Sequence, residues 1–140
     1  MKKLTNNKGA SFEDVASVER ELNMNFPHQL KEFLLMQNGG YCRPSYVFKR
    51  YILDQEEQLM TIDQFLSIEE IKSSYINMLD IDEFKGNLPF VQNLGASVVS
   101  IGIEEKNFGK IFVYDGDFGL TEQANNLEEF FEQLQKDTEI

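Results

Sequence analysis

The sequence predicts an α+β domain, with a mainly antiparallel sheet of about five strands and about four helices packed around it. Three observations support this prediction. The chain has 140 residues, a length that suits one domain, and its hydrophobic fraction of 41% is typical of a globular fold. Four segments carry apolar residues at helical spacing, and five have the composition of strands. The strands follow one another in hairpins instead of alternating with helices, which favours antiparallel pairing.

The N-terminal part of the chain predicts a polar arm followed by one helix. Residues 1–10 are polar, so we expect a flexible N-terminus there and a single domain over residues 11–140. Ser11, with Asp14 three residues later, is typical of a helix N-cap. Apolar residues at helical spacing follow and predict an amphipathic helix that ends near Asn23. They are Phe12, Val15, Val18 and Leu22.

The stretch FPHQLKEFLLMQNGG, residues 26–40, predicts a second helix. Pro27 suits its first position because the proline ring fixes φ at a helical value. Gly39 or Gly40 can adopt the left-handed conformation that closes a helix. His28, the single histidine, is interpreted as a surface residue of the first turn rather than as a catalytic group. The apolar face consists of Leu30, Phe33 and Leu34.

The middle of the chain predicts a hairpin and a third helix. Residues 41–46 are expected to form a connecting loop. Residues 47–53 and 58–66 have the composition of strands and are expected to pair across the acidic turn DQEE. Ser67 and Glu70 then form an S-x-x-E capping box, which predicts the start of the third helix.

The C-terminal part predicts the rest of the sheet and a last helix. Three further strands are expected, and the loop between the last two has a length that is normal for a hairpin. They cover residues 88–93, 97–103 and 110–115. Asn126, followed three residues later by Glu129, predicts the N-cap of a helix whose apolar stripe ends at Leu134.

The charge of the chain is distributed unevenly. Residues 1–50 carry eight Lys or Arg against five Asp or Glu, which gives +3, and residues 51–140 carry five against nineteen, which gives −14; the sum is the net charge of −11. A polyanion would be repelled, so nucleic acid is not an expected partner. A basic protein partner fits this charge, because complementary fields speed association. Acidity that serves only solubility is the alternative interpretation.

Cysteine content and hydropathy favour a cytoplasmic location. No apolar run approaches the roughly 20 residues that span a bilayer, so no membrane segment is expected. The N-terminal lysines are not followed by the apolar core of a secretory signal. Cys42 is the single cysteine and cannot form an internal disulfide, which is typical of a protein from a reducing compartment.

Residues that carry chemistry do not form a recognised active-site pattern. Cys42 and His28 lack the spacing of a zinc site, and residues 115–122, DGDFGLTE, lack the ligand order of a calcium loop. Any nucleophile paired with a histidine would have to use His28. We therefore expect no catalytic residue, no metal and no cofactor. An enzyme that uses paired carboxylates is kept as an alternative, because many acidic pairs are present.

Carboxylates at the tips of the predicted hairpins are the candidate binding groups. Several of them can lie together at one edge of the sheet and form a surface for a basic partner. Tyrosines can supply aromatic anchors, which protein interfaces favour. The candidate partner-binding residues are Asp54, Glu56, Glu57, Glu104, Glu105, Asp115, Asp117, Tyr41, Tyr46 and Tyr114.

An ordered set of motifs carries a family resemblance. Residues 15–40 contain a helix with a central glutamate, a Phe-Pro pair, an amphipathic helix and an Asn-Gly-Gly ending. The residues concerned are Glu19, Phe26-Pro27 and Asn38-Gly39-Gly40. Downstream follow LPFVQNLGASVVSIGI, GKIFVYD and ANNLEEFFEQL. Over roughly residues 11–136, this combination resembles the SUKH superfamily, whose Smi/Knr-type domains include bacterial toxin-immunity proteins and fungal cell-wall assembly regulators.

The resemblance implies a non-catalytic α+β domain that binds proteins. For bacterial members it implies a cytoplasmic immunity protein that neutralises a toxin, often a nuclease, by occluding it. The acidic charge fits a basic toxin domain as the partner. The alternative implied by the fungal members is an intracellular regulatory or scaffold module with a fixed cellular partner.

Overall fold

A computed structural model describes residues 2–52, 57–92 and 97–139 of the chain. Within these ranges it contains four α-helices and seven strands. The helices are α1 (Phe12–Leu22), α2 (His28–Met36), α3 (Ile68–Asn77) and α4 (Leu127–Glu132). The strands are β1 (Gly40–Arg50), β2 (Gln58–Phe65), β3 (Asn87–Gln92), β4 (Val98–Gly102), β5 (Ile111–Asp115), β6 (Gly119–Ala124) and β7 (Gln135–Lys136). Short 3₁₀ turns cover Asp82–Phe84, Glu105–Asn107 and Asp137–Glu139.

All strand pairs in the sheet are antiparallel, in the order β6-β5-β4-β3-β2-β1-β7. The predicted α+β class and mainly antiparallel sheet are therefore confirmed, with seven strands where about five were expected. The two additional strands are β6 and β7, which form the sheet edges. None of the helices in the described ranges is long and apolar enough to cross a bilayer.

The predicted loop over residues 41–46 is wrong, because these residues belong to β1. Tyr41 pairs with Gln64, and pairing resumes at Tyr46 with Ile62, so the register shifts between the two pairs. A β-bulge of this kind disrupts the alternation by which a strand is recognised. The bulge includes Pro44, which follows a cis peptide bond. The predicted end of this strand at residue 53 and the turn residues 54–56 lie outside the described residues.

The predicted helix caps are confirmed by side-chain hydrogen bonds. Ser11, Ser67 and Asn126 each accept from the backbone N–H three residues later, which satisfies a donor that the helix leaves unpaired. The acceptor–donor distances are 3.0, 3.2 and 2.8 Å, to Asp14, Glu70 and Glu129 respectively. Because a cap acts within one turn, these helix starts were readable from local sequence.

The end of α2 differs from the prediction. Pro27 is the N-cap rather than the first helical residue, and the helix ends at Met36 with Gln37 in extended conformation. Gly39 (φ 64°) and Gly40 (φ 111°) adopt left-handed conformations beyond the helix, where the chain turns into β1. A β-carbon on Gly39 would lie 2.5 Å from the backbone of Ser67, so the glycine also permits close approach to the start of α3.

Polar residues of the Glu19-to-Asn38 segment connect the N-terminal elements. The carboxylate of Glu19 accepts a hydrogen bond of 2.8 Å from the N–H of Phe26 and lies 3.1 Å from Lys31 Nζ. Asn38 Oδ1 accepts from the N–H of Ile68 at 2.8 Å. These contacts hold α1 against α2, and the end of α2 against α3. The motif residues Glu19 and Asn38 therefore have a structural role.

Residues 2–10, where we expected flexibility, contact the end of α2. The Oε1 atom of buried Gln37 accepts hydrogen bonds from the N–H groups of Leu4 and Thr5, at 2.6 and 2.8 Å. Its Nε2 atom donates to the carbonyl of Lys2 at 3.0 Å. The side chains of Leu4 and Thr5 are themselves buried. We call residues 2–8 the arm.

An aromatic cluster forms the centre of the core between the helices and one face of the sheet. Its ring centroids lie 5.1 to 6.5 Å apart, in tilted, stacked and edge-to-face arrangements that aromatic pairs favour. The cluster contains Phe33, Phe48, Phe65, Phe90, Phe130 and Phe131. Phenylalanines from α2, α4 and the strands β1, β2 and β3 thus hold the helices against the sheet.

The sheet curls so that β1 approaches β6, although four strands separate them in sheet order. Gln123 Nε2 on β6 donates to the carbonyl of Lys49 on β1 at 2.9 Å. The side chain of Arg50, which is 0% exposed, extends from β1 to β5 and β6. This closure positions the β5–β6 hairpin, which carries three of the predicted binding residues, Tyr114, Asp115 and Asp117.

Candidate functional site

The predicted acidic turn contributes one residue that the structure describes. Asp54 and Glu56 lie outside the described residues. Glu57 is exposed, and its carboxylate lies 3.8 Å from Lys49 Nζ on the paired strand β1. Its charge is therefore partly offset by a neighbouring cation.

Asp115 is the counterion of a buried arginine. Its Oδ2 atom accepts a hydrogen bond from Arg50 Nη1. The other nitrogen atoms of the guanidinium donate to oxygen atoms on β5 and β6. Those acceptors are Thr121 Oγ1 at 2.9 Å, Gly119 O at 3.2 Å and Val113 O at 3.3 Å. A buried guanidinium needs such partners because an unpaired charge in the interior is costly.

The second carboxylate oxygen of Asp115 shapes the β5–β6 hairpin. Oδ1 accepts from the N–H groups of Asp117 and Phe118, each at 2.8 Å. Burial raises the pKa of Asp115, but the hydrogen bond from Phe118, the Arg50 guanidinium and the N–H of Asp117 outweigh burial and leave the pKa lowered. Both carboxylate oxygens of Asp115 therefore support the hairpin.

The three candidate tyrosines occupy different environments. Tyr41 is 60% exposed, and the guanidinium carbon of Arg43 lies 5.8 Å from its ring centroid. Tyr46 is buried in the core. Tyr114 is half-buried, with its ring 5.6 Å from that of Phe84. Of the three, Tyr41 alone presents most of its side chain to solvent.

The Asp82–Phe84 turn crosses the sheet face opposite to the helices. On β5, Ile111 and Val113 belong to the helix-covered core, so Tyr114 lies on the other face. Phe84 is buried against Tyr114 and anchors the turn there. This crossing carries the exposed acids Asp82 and Glu83 onto the surface that β5 and β6 present to solvent.

Acids from three parts of the chain lie along this turn, from the β5–β6 hairpin at one end of β5 to the β4–β5 loop at its other end. A carboxylate oxygen of Glu83 lies 2.8 Å from the position that a β-carbon on Gly119 would take, in the β5–β6 hairpin. The carboxylate of Glu104 fills the space that a β-carbon on Gly86 would need. We call the exposed carboxylates of these segments the acidic face. Its members are Asp82, Glu83, Glu104, Glu105 and Asp117.

The acidic face has a net negative charge and an apolar neighbour. The same segments contain two exposed lysines, Lys85 and Lys106, against five carboxylates. Phe118, next to Asp117, is 44% exposed and presents an aromatic ring beside the acids. Aromatic side chains are enriched in protein interfaces, which favours this surface as a binding site.

Sequence reasoning identified three of the five acidic-face residues, Glu104, Glu105 and Asp117. Asp82 and Glu83 were not among the candidate residues. The available signal was Phe84, a single apolar residue in an acidic segment, but one residue has no periodicity and cannot indicate which face it covers. Phe118 was missed because an exposed aromatic residue in a turn looks like any other hairpin residue.

The nucleophile and metal candidates are accounted for by ordinary contacts. His28 is exposed and forms an i,i+4 pair of 2.7 Å with Glu32 on α2. Cys42 is buried, and burial, followed by the nearby Asp63, raises the pKa of its thiol to about 12. In the described part of the chain, no group of three or more His, Cys, Asp or Glu residues is placed to hold a metal ion.

Comparison with known proteins gives one family. The model of the SMI1 / KNR4 family (SUKH-1) matches residues 9–133. The matched region includes the whole acidic face and the Glu19-to-Asn38 segment, and it excludes the arm and β7. No curated protein matches the chain.

Proposed function

The chain belongs to the SMI1 / KNR4 family (SUKH-1), and from this premise we propose that it is a cytoplasmic bacterial immunity protein without catalytic activity. It binds a basic toxin domain, such as a nuclease, and blocks it by covering its active surface. The observation that carries the proposal is that exposed acids lie along the segment that starts at Asp82, with Glu83 next to the β5–β6 hairpin and Glu104 next to Gly86. Part of the net negative charge of the chain is concentrated on this acidic face.

Electrostatics explain how such a surface neutralises a toxin. A nuclease presents cations to the phosphates of its substrate, and an acidic protein can occupy the same cations. Complementary fields raise the association rate, which benefits an inhibitor that must capture an incoming toxin before it reaches its substrate. Phe118 supplies apolar contact that persists after docking and slows dissociation.

The acids are held in place before a partner arrives. The buried Arg50–Asp115 pair fixes the β5–β6 hairpin, and Phe84 fixes the crossing turn on Tyr114. Little conformational entropy is lost on binding when the contact groups are already positioned. Blocking by a fixed surface requires neither a nucleophile nor a metal.

Co-expression with the toxin domain encoded beside the gene tests the proposal. We expect cells to survive when this protein is present, and purified protein to bind the toxin with an association rate that falls as salt rises. The triple variant Glu83→Lys, Glu104→Lys, Asp117→Lys should bind at least about tenfold more slowly and fail to protect.

A matched control separates the acidic face from net charge. The triple variant Asp14→Lys, Glu69→Lys, Glu128→Lys reverses the same number of exposed acids on α1, α3 and α4. It should protect cells and associate within about threefold of the unchanged protein. Equal slowing of both variants would contradict a localised acidic interface. Absence of toxin binding, together with recovery of a fixed cellular partner, would instead support the regulatory role.

A further inference from the structure

A small groove of opposite charge lies outside the acidic face. It has a volume of about 270 Å³ and is bounded by arm residues 3–6, by the bulged part of β1 and by Lys136 on β7. The β1 residues are Tyr41, Arg43, Pro44 and Tyr46. We call this cavity the basic groove. The arm and β7 lie outside residues 9–133, which the family model matches.

The charge of the groove contrasts with the charge of the protein. Its lining contains Lys3, Arg43 and Lys136 and no acidic residue, in a chain with a net charge of −11. Within the described residues, Arg43 and Lys136 have no ion-pair partner, whereas Arg20, Lys31 and other cations are paired with carboxylates. The groove therefore holds cations that the protein's own acids do not neutralise.

The donors are arranged around an apolar platform. The Arg43 guanidinium lies against the Tyr41 ring, at 5.8 Å from its centroid, which orients the planar group. A guanidinium oriented in this way can hold a carboxylate through two parallel hydrogen bonds. Lys3 Nζ donates to the carbonyl of Met36 at 3.3 Å, so its position relative to the groove is fixed by the end of α2.

We propose that the basic groove binds a glutamate or aspartate side chain from an acidic segment of a partner protein. The volume is just below the range of about 300–1,000 Å³ that small-molecule sites span, and it suits one or two inserted side chains. Tyr41 and Pro44 offer contact to the carbon atoms of a peptide. Phosphate sites are generally built from backbone N–H groups at a helix start, whereas the cations here are side chains on three separate elements.

This inference goes beyond the proposed immunity function, because the groove and the acidic face share no residue. A partner with a basic active surface and an acidic segment could contact both. The groove also stands if the acidic face serves another partner, so the two proposals fail separately.

Titration of the full-length, ¹⁵N-labelled protein with a capped tetraglutamate peptide tests the inference. We expect saturable amide shifts confined to the arm, residues 41–46 and 135–136, which weaken as salt is added. Arg43→Glu should reduce the affinity at least about tenfold. Lys136→Glu should reduce the affinity by a similar factor. Because Lys136 is exposed on β7, this second variant tests the groove even if Arg43→Glu on β1 impairs folding.

The control variant is Arg20→Glu, on exposed α1 outside the groove, which should change the affinity by less than about twofold. A capped tetraglutamine peptide should produce no saturable shifts. The inference is overturned if tetraglutamine binds equally well, if tetraglutamate gives no saturable shifts, or if inorganic phosphate binds as tightly as the peptide at the same amides. Tighter binding of a single-stranded oligonucleotide there would also overturn it and assign the groove to nucleic acid.

Discussion

Arg50 shows at the scale of single residues why the role of an acid is hard to read from sequence. Its guanidinium has no exposed surface and bonds with Asp115, 65 positions later in the chain. In the sequence, Asp115 and Asp117 look alike, as two acids at a hairpin tip. Burial of one partner separates them, because Asp115 is 15% exposed and Asp117 points into solvent. That difference depends on a long-range contact that no local pattern contains.

Removal of the carboxylate charge at Asp115 should destabilise the fold. Asp115→Asn leaves Arg50 buried without its counterion, and breaking such a pair costs about 3–5 kcal/mol. Asp117→Asn is the matched control and should change the free energy of unfolding by less than about 0.5 kcal/mol. Urea denaturation at pH 7 measures both. Equal stability of the two variants would contradict the assignment of Asp115 to the fold.

The same pair predicts a pH dependence. The pKa of Asp115 is lowered in the folded state, so its stabilising contribution is fully present above the ordinary carboxyl value of about 4 and is lost as pH falls through the lowered pKa. The difference in unfolding free energy between the unchanged protein and Asp115→Asn should therefore shrink below about pH 4. Denaturation titrations at several pH values measure it, and a difference that grows on acidification would contradict the sign.

Cys42 should be unreactive in the folded protein. Burial and the nearby Asp63 raise the pKa of its thiol to about 12, so very little thiolate is present at pH 8, and the side chain is 5% exposed. An aromatic disulfide reagent should label it only after urea unfolds the chain. As a control, a cysteine introduced at the exposed position 61 by Thr61→Cys, in a Cys42→Ser background, should react without urea. Rapid labelling of native Cys42 would contradict the predicted inaccessibility.

Elements with local determinants were predicted well, and elements held by remote partners were not. The starts of α1, α3 and α4 each have a side-chain cap that bonds three residues ahead, so Ser11, Ser67 and Asn126 were sufficient signals. In contrast, β7 has two residues and exists because it pairs with Tyr46 and Val47 of β1. Likewise, β6 pairs with β5, and its mostly half-exposed side chains lack the apolar alternation by which a strand is recognised in sequence.

The arm is the element for which composition and position disagree. Its polar sequence predicted flexibility, yet Gln37 accepts from two of its N–H groups and donates to a third residue. Gln37→Ala should lower the free energy of unfolding by about 1–3 kcal/mol, because buried hydrogen-bonding groups lose their partner. It should also speed amide hydrogen exchange at Leu4 and Thr5.

Gln58→Ala, at the exposed start of β2, is the control for this prediction and should leave exchange in the arm unchanged. If Leu4 and Thr5 exchange rapidly in the unchanged protein, the arm is flexible as its composition predicts. In that case Gln37→Ala should have no effect on their exchange rates, and the role that we give to Gln37 would be contradicted.

At the scale of the whole molecule, the fold follows from sequence order more readily than the binding surface does. The ordered motifs identified the family that residues 9–133 match. Glu19 and Asn38 explain why the order of the motifs matters. Glu19 connects α1 to the segment that precedes α2, and Asn38 connects the end of α2 to the start of α3. The acidic face requires the Asp82–Phe84 turn to cross the sheet, which depends on the packing of Phe84 against Tyr114, 30 positions later.

Concentration of like charge on the acidic face should weaken the fold that carries it, because neighbouring carboxylates repel one another in the folded state. A surface kept for binding is often suboptimal for stability. Neutralisation through Asp82→Asn, Glu83→Gln and Asp117→Asn should therefore raise the melting temperature by about 2–4 °C at low salt. About 0.5 M NaCl shortens the Debye length to a few ångströms, so most of this gain should disappear there.

Acids outside the face give the opposite expectation and supply the control. Asp14 and Glu128 lie in the first turns of α1 and α4, where negative charge interacts favourably with the helix dipole. Asp14→Asn with Glu128→Gln should leave the melting temperature unchanged or lower it slightly, although it also reduces the net negative charge. Calorimetry at both salt concentrations distinguishes the two variants. An equal rise for both would show that total charge, rather than crowding of acids on one face, governs stability, and would remove the physical reason for regarding that face as a binding surface.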